Sequence, residues 1–342
     1  VLLVLVALAG LLVGVGTERA LGRERVEDPG SARPRRTRRR SWKRRLGITA
    51  VVLVVVLLAT GIGGWVWANR VFDRIEKVDV GTALGHGGSG TNYLLVGADN
   101  GPDSEAREGI SGMRSDTIMI LNIDGSRARM LSLNRDLWLK NPATGEMGRI
   151  NATYRQGPEN LIRAITDNYG IPIDRYIEID FSSFAGLVDA FGGIDIPFEH
   201  PAFDVASGLD VRETGLVHLD GDQALAYVRS RHYVEVIDGE EVPDLTSDLG
   251  RVQRQQVFLR AIMAKNGDTK NPVKLLRAAS KMSGGLRIDH RMTMLDAARF
   301  AWRMGKLNPE TVVLPVEFRR TSGGASVLEL GEGAEAILAT FR

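Results

Sequence analysis

The sequence predicts an α/β fold: one domain with a central mixed β-sheet flanked by helices, preceded by a membrane-spanning helix. Two observations carry that prediction. From Asn92 onward, short apolar runs bounded by Gly or polar residues alternate with segments whose apolar residues recur at helical spacing. From Leu46 to Asn69 a charge-free run has the roughly 20-residue length that crosses a hydrocarbon core.

The elements follow in chain order. Val1 to Gly16 is apolar but shorter and has no charge ahead of it, so it is either a second span or an altered start. Glu18 to Arg45 is rich in Arg, Pro, Ser and Gly. It holds too little apolar surface for a core and is expected to be disordered against anionic lipid. The Arg-dense stretch Arg33 to Arg45 precedes the apolar run, and Trp65 and Trp67 close it. The positive-inside rule and the aromatic belt therefore put everything after Asn69 outside. Valine, leucine and isoleucine surround the whole run without an amphipathic face, which argues against a buried helix of a soluble domain. Residues 70–91, ending in Gly-rich GTALGHGGSGT, read as a stalk, and residues 92–342 as the outer domain.

Within that domain, Asn92–Gly97, Thr117–Asn122 and Ala128–Asn134 read as strands. Asn160–Tyr169 reads as a helix stopped at Gly170 before a proline. Arg175–Asp180 alternates as a strand, Phe181–Phe191 is a helix closed by Gly192 and Gly193, and Ile194–Phe198 is another strand. Helices are expected at Asp220–Arg231, Leu249–Lys265, Asn271–Met282 and Thr293–Lys306, and a late strand at Thr311–Glu317. No internal repeat is visible.

Composition narrows the function. Lys and Arg number 44 against 42 Asp and Glu, and without the basic N-terminal stretch the remainder is acidic, so the domain is no general nucleic-acid binder. The absence of cysteine excludes disulfides and Cys-ligated metals. No His-rich metal pair, G-x-S-x-G elbow or Walker loop is present, so metallohydrolase, serine hydrolase and P-loop readings lose their usual support.

Four clusters stand where strands or helices end. Asp99 follows one strand, while Arg114 and Asp116 precede the next; neighbouring strand ends would join the two carboxylates into a site for Mg²⁺ or Mn²⁺, hard cations that take oxygen ligands and share phosphate. Each would otherwise cap a turn. Arg135 and Asp136 follow the third strand and put a planar fork of donors at the same sheet edge. Arg229 and Arg231 flank Ser230; in an extended segment they project to one side, an arrangement that suits an anion. Asp248, Arg251 and Gln255 share a helix face, with Val252 and Leu259 on the core side. An ordinary solvated face would carry the same residues, but together the arginines outline a pocket for a diphosphate.

With LLVGAD (94–99), RSDTIMI (114–120), SLNRDLW (132–138), INATY (150–154), LVDAFGGI (187–194), LDGDQALAYVRSR (219–231) and DLGRVQRQQVFL (248–259), the chain resembles the LytR-CpsA-Psr cell-wall glycopolymer transferases. The match covers residues 92–265 in the family's order. The resemblance implies an α/β domain outside the membrane with a pocket for a polyprenyl tail. It implies Asp99 and Asp116 as Mg²⁺ or Mn²⁺ ligands, and Arg135, Arg229, Arg231 and Arg251 on the pyrophosphate with Gln255 helping. Arg114 and Asp248 would orient these groups. Asn134 and Leu137 depart from the Pro and Thr common in the family. The expected reaction takes a polyprenyl-pyrophosphate-linked glycan as donor and peptidoglycan as acceptor, with Asp136, Asp248 or Asp116 as base. The Ala/Gly/Arg-rich composition hints at an actinobacterium and so at arabinogalactan, with a teichoic-acid-like or capsular polymer as the alternative. The competing expectations are a lipid pyrophosphate phosphatase and a membrane-tethered regulator or wall-binding module.

Overall fold

The computed structural model describes residues 40–98, 115–246, 248–268 and 284–342. The apolar run lies in one helix, α1 (Arg40–Phe72), of which Leu46–Phe72 is long and apolar enough to cross a membrane. Its Val, Leu and Ile side chains are exposed along most of that length, a surface suited to lipid rather than water.

The domain continues with β1 (Glu76–Val78), β2 (Thr91–Ala98), β3 (Ser115–Asp124), β4 (Arg127–Leu133), β5 (Trp138–Lys140) and β6 (Met147–Arg149). Next come α2 (Ile150–Thr153), α3 (Pro158–Tyr169), β7 (Arg175–Asp180), α4 (Phe181–Phe191), β8 (Ile194–Phe198), β9 (Ala202–Asp204), β10 (Leu209–Val211), β11 (Gly215–Leu219) and α5 (Gly221–Arg229). The remainder is β12 (Val234–Ile237), β13 (Glu240–Pro243), α6 (Asp248–Asp268), β14 (Leu286–Asp289), α7 (Met294–Met304), β15 (Glu310–Val312), β16 (Val316–Arg320), β17 (Ser326–Leu330) and α8 (Ala334–Ala339).

A mixed seven-stranded sheet, ordered β1-β14-β7-β2-β3-β4-β15, forms the centre. Strand alternation supplies both its faces. Leu94, Val96, Ile118 and Ile120 point into one core with α3, while Tyr93, Met119, Leu121 and Met130 meet Phe72, Ile75 and the inner side of α7 on the other. A third cluster joins α4, α5 and α6 to β8 and β11. Local chemistry sets the helix ends. Pro158 opens α3 and Gly170 closes it at φ 66°, and Asp180 caps α4 by accepting from Ser183 N.

Register fixes which termini meet. Ala98 pairs with both Ser115 and Asp180, Ile118 with Leu133, and Leu286 with Ile179. The ends of β2, β4 and β7 therefore lie beside the beginnings of β3 and β14. Because β1 runs parallel to β14, with Glu76 opposite Arg287, the chain enters the sheet at this same end.

Two expectations need correction. Residues 70–91 are no stalk: Val71, Phe72, Ile75, Val78, Val80 and Leu84 are buried, and Glu76–Val78 adds an edge strand to the sheet. The late strand divides at Val313–Pro315, where proline has no N–H for a ladder. Its first part pairs with β4, and its second part turns away to pair with β17. The helix expected at Asn271–Met282 lies outside the described residues.

Candidate functional site

The best-defined part of the site is the turn that ends α5. Asp220 caps this helix by accepting from Gln223 N, and the helix stops at Ser230, whose φ of −57° and ψ of 127° turn the chain extended. Ser230 is 0% exposed, and its hydroxyl donates to Asp204 Oδ2 at 2.7 Å. The N–H groups of Arg231 and His232 donate to the same oxygen at 2.9 Å each, while Ala206 N reaches Oδ1 at 2.9 Å. Asp204 is itself 1% exposed. Burial pushes its carboxyl up, but the Ser230 hydroxyl and these backbone donors outweigh burial and hold it below the usual carboxylate range.

Helix α6 clamps the turn from the other side. Arg254 donates through Nη2 to Ser230 O and through Nη1 to Asp244 Oδ2, both at 2.9 Å, and its guanidinium lies 4.5 Å from the Tyr233 ring centre. Gln255 Nε2 donates to Val228 O at 3.2 Å, and Gln256 Nε2 to Ser132 Oγ on β4 at 2.9 Å. With Ser230 drawn inward, Arg229 and Arg231 flank it and stay partly exposed. The Arg229 guanidinium sits 4.4 Å from the Phe181 ring centre. Phe181 is the first residue of α4 and follows Asp180 at the end of β7, so this stacking carries Arg229 to the sheet end described above.

Arg135 and Asp136 occupy that end just past β4. Extending the Ile118–Leu133 register by two residues sets the Arg135 backbone opposite that of Asp116. Asp136 is held by two guanidiniums, Arg149 Nε at 3.2 Å and Arg135 Nε at 3.6 Å. Strands lie ~4.8 Å apart, so the ends of β7 and β4 are roughly 14 Å apart across the mouth.

The structure thus puts Arg135 and Asp136 just past β4 and carries Arg229 to the end of β7, with Arg231 two residues further along the chain. Arg251 and Gln255 stand on the buried side of α6, Arg251 only 2% exposed and Gln255 engaged with the α5 backbone. Asp116 is the second residue of β3 and Asp248 opens α6, but their side chains, and Asp99 and Arg114 altogether, lie outside the described residues. Asp204, Arg254, Phe181 and Arg149 were missed in the sequence. Arg254 sat in view within RVQRQQ. Asp204 offered only a carboxylate before a small-residue turn, and its partners around Ser230 lie 26 to 28 residues away.

The LytR_cpsA_psr family model matches residues 70–334. The probable cell wall biosynthesis protein LcpB of Corynebacterium glutamicum is 30% identical over 86% of this chain and 70% of its own length. The polyisoprenyl-teichoic acid–peptidoglycan teichoic acid transferase TagV of Bacillus subtilis is 30% identical over 75% of this chain, which spans 66% of it. Among solved structures, a LytR-Csp2A-Psr enzyme from Actinomyces oris superposes with a TM-score of 0.64 at 24% identity, covering 78% of this chain and 96% of that one. That likeness is one of fold. The matched family model spans β1 to the start of α8, including the clamped turn and the whole central sheet, and the chain belongs to the LytR_cpsA_psr family.

Proposed function

We propose that this chain moves a glycan phosphate from a polyprenyl-pyrophosphate carrier onto a hydroxyl of peptidoglycan, outside the membrane that α1 crosses, and releases polyprenyl phosphate. The observation that carries this reading is the clamped turn, which stops α5 between Arg229 and Arg231 and leaves Arg229 stacked on Phe181 at the end of β7. Planar donor forks such as those of Arg135, Arg229 and Arg231 suit a diphosphate, whose oxygens accept bidentate bonds. The entry of the chain at that same sheet end, four residues after α1, suits a substrate whose tail stays in lipid. Support also comes from relatives: TagV and TagU are named for transfer of teichoic acid to peptidoglycan, and a solved TagT is described as bound to LIIa-WTA.

In the reaction, the acceptor oxygen forms a bond to the phosphorus on the sugar side, and the bond from that phosphorus to the bridging oxygen breaks. The electron pair leaves with polyprenyl phosphate, and the acceptor proton passes to a carboxylate. Asp136, Asp116 and Asp248 are the carboxylates assigned to that task. Arg135, Arg229 and Arg231 neutralise charge on the leaving phosphate, with Arg251 and Gln255 behind them. Positioning and neutralisation account for most catalysis of phosphoryl transfer, so no covalent intermediate is required. Asp99 and Asp116, two oxygen donors that follow β2 and lie in β3 along the chain, have the chemistry to hold Mg²⁺ or Mn²⁺, which when bound would screen the phosphate oxygens. Among the described residues no three His, Asp or Glu side chains gather as a metal group.

The test uses the full chain in detergent micelles with a polyprenyl-pyrophosphate-linked disaccharide and peptidoglycan fragments. The expected result is a phosphodiester-linked product and polyprenyl phosphate in equal amounts. Glycan phosphate released to water despite abundant acceptor would identify a lipid pyrophosphatase instead, and no consumption of donor would end both readings.

A further inference from the structure

Asn134, directly before Arg135, is 5% exposed and lines a small pocket between β4 and the start of α6. Its amide orientation is fixed by its neighbour: Asn134 Oδ1 accepts from Asp136 N at 3.0 Å, closing a turn at the end of β4. Exchanging oxygen and nitrogen would set an NH₂ group against that N–H, so Nδ2 must be the other arm. Nδ2 is fully buried and meets no protein acceptor among the described residues. Leu249, Val252, Val313, Leu314 and Val316 make the rest of the wall mostly apolar, and the nearby Ser132 hydroxyl is occupied by Gln256. A buried donor left without an acceptor is costly, so a fixed one in an apolar pocket marks where a ligand oxygen belongs.

The ligand must present an acceptor oxygen with hydrocarbon beside it. Resting on the function proposed above, we propose that Asn134 is a substrate-binding residue whose Nδ2 donates to an oxygen of the carrier-side phosphate, where the diphosphate meets the apolar chain. The assignment puts a neutral donor at the lipid end of an otherwise cationic site. The apolar wall beside Asn134 seats the phosphate that carries the hydrocarbon on this donor, so a free diphosphate depends on it less.

The experiment measures farnesyl pyrophosphate and inorganic pyrophosphate binding to the full chain in non-ionic micelles by calorimetry. Asn134→Ser keeps an oxygen for the Asp136 N–H but loses the reach of Nδ2. Asn134→Asp keeps the shape and replaces the donor by an acceptor. Both variants are expected to weaken farnesyl pyrophosphate binding by about tenfold or more, with a smaller effect on inorganic pyrophosphate. The ratio of Asn134→Asp to wild type should rise as pH falls toward about 4, where a growing share of the carboxyl is protonated and again donates. If one variant fails to fold, the other still decides. Wild-type affinity in both, to within about twofold, while Arg229→Ala and Arg231→Ala lose binding, overturns the role of Asn134 and leaves the site standing. Farnesyl pyrophosphate affinity that neither arginine substitution alters removes the diphosphate site, and the proposal with it.

Discussion

Asp204 offers the sharpest test of how the site is built, because one buried carboxylate gathers four close donors and three of them belong to the arginine turn. A hydrogen bond to a charged acceptor contributes ~1.5–3 kcal/mol, so a simple sum over four would reach ~6–12 kcal/mol. That sum is too large. Replacing Asp204 also removes the cost of burying its charge, the largest influence on its titration, and His232 is exposed enough for water to replace its bond. Removing one partner of such a buried network costs roughly 3–5 kcal/mol. Asp204→Asn retains one oxygen and should fall near the lower figure, while Ser230→Ala, which removes a single donor, should cost about 1 kcal/mol. For a domain of this size Asp204→Asn should lower the melting temperature by about 10 °C. The folded carboxyl titrates below its unfolded value of about 3.9, so its contribution is complete above that pH and is lost as pH falls through the lower folded value. The wild type should therefore lose stability in that acid window by a step that Asp204→Asn lacks. Denaturant and thermal melts of the full chain in micelles, at neutral pH and in acid, measure all three quantities. Melting of Asp204→Asn within about 1 °C of the wild type, with an unchanged acid profile, would refute the clamp.

Further outcomes follow from the proposed chemistry. Arg229→Lys and Arg231→Lys should each lose ~2–4 kcal/mol of transition-state stabilisation, because an ammonium cannot reproduce a planar fork. Arg319→Lys, on an exposed hairpin pair with Glu329, should change turnover little, and near-wild-type rates in the first two would place the diphosphate elsewhere. Chelation or Asp116→Ala should abolish pyrophosphate cleavage with the melt still cooperative; full activity in excess chelator would remove the cation. A reporter that works only outside the cytoplasm, fused at Lys77, should be active, and activity of a cytoplasm-only reporter there would reverse the topology.

The central sheet was legible where strands were long enough to show a period. β2, β3 and β4 alternate between two apolar faces, and α3 and α4 are bounded by Pro158, Gly170, Asp180 and Gly192, whose effects are local. The three-residue strand β1 shows no period, and the four-residue β14 was likewise passed over. β1 exists because Glu76 finds Arg287, more than two hundred residues away, and no local signal records that pairing. The buried residues Val71, Phe72, Ile75, Val78, Val80 and Leu84 are scattered among polar ones, so a segment that completes two cores resembled a tether.

The site shows the same division between what a residue is and what holds it. The arginines were legible as charge, and Arg229-Ser230-Arg231 as a spacing that converges only if the chain is extended. In a continuing helix the same pair would diverge by about 200°. Spacing therefore could not decide the matter. The deciding fact is that α5 ends at Ser230, and it ends there because the serine hydroxyl and the next two N–H groups find a better acceptor in Asp204 than a further helical turn would give them. Arg254, whose charge alone would have placed it among the diphosphate ligands, is instead committed to Ser230 O and Asp244. Its guanidinium is spent on geometry, so Arg254→Lys should misplace both neighbouring forks without removing either. An Arg-x-Arg at a helix terminus needs an inward partner for its middle residue before both forks can share a side, and here that partner, Asp204, comes from a strand that sequence spacing gave no reason to consult.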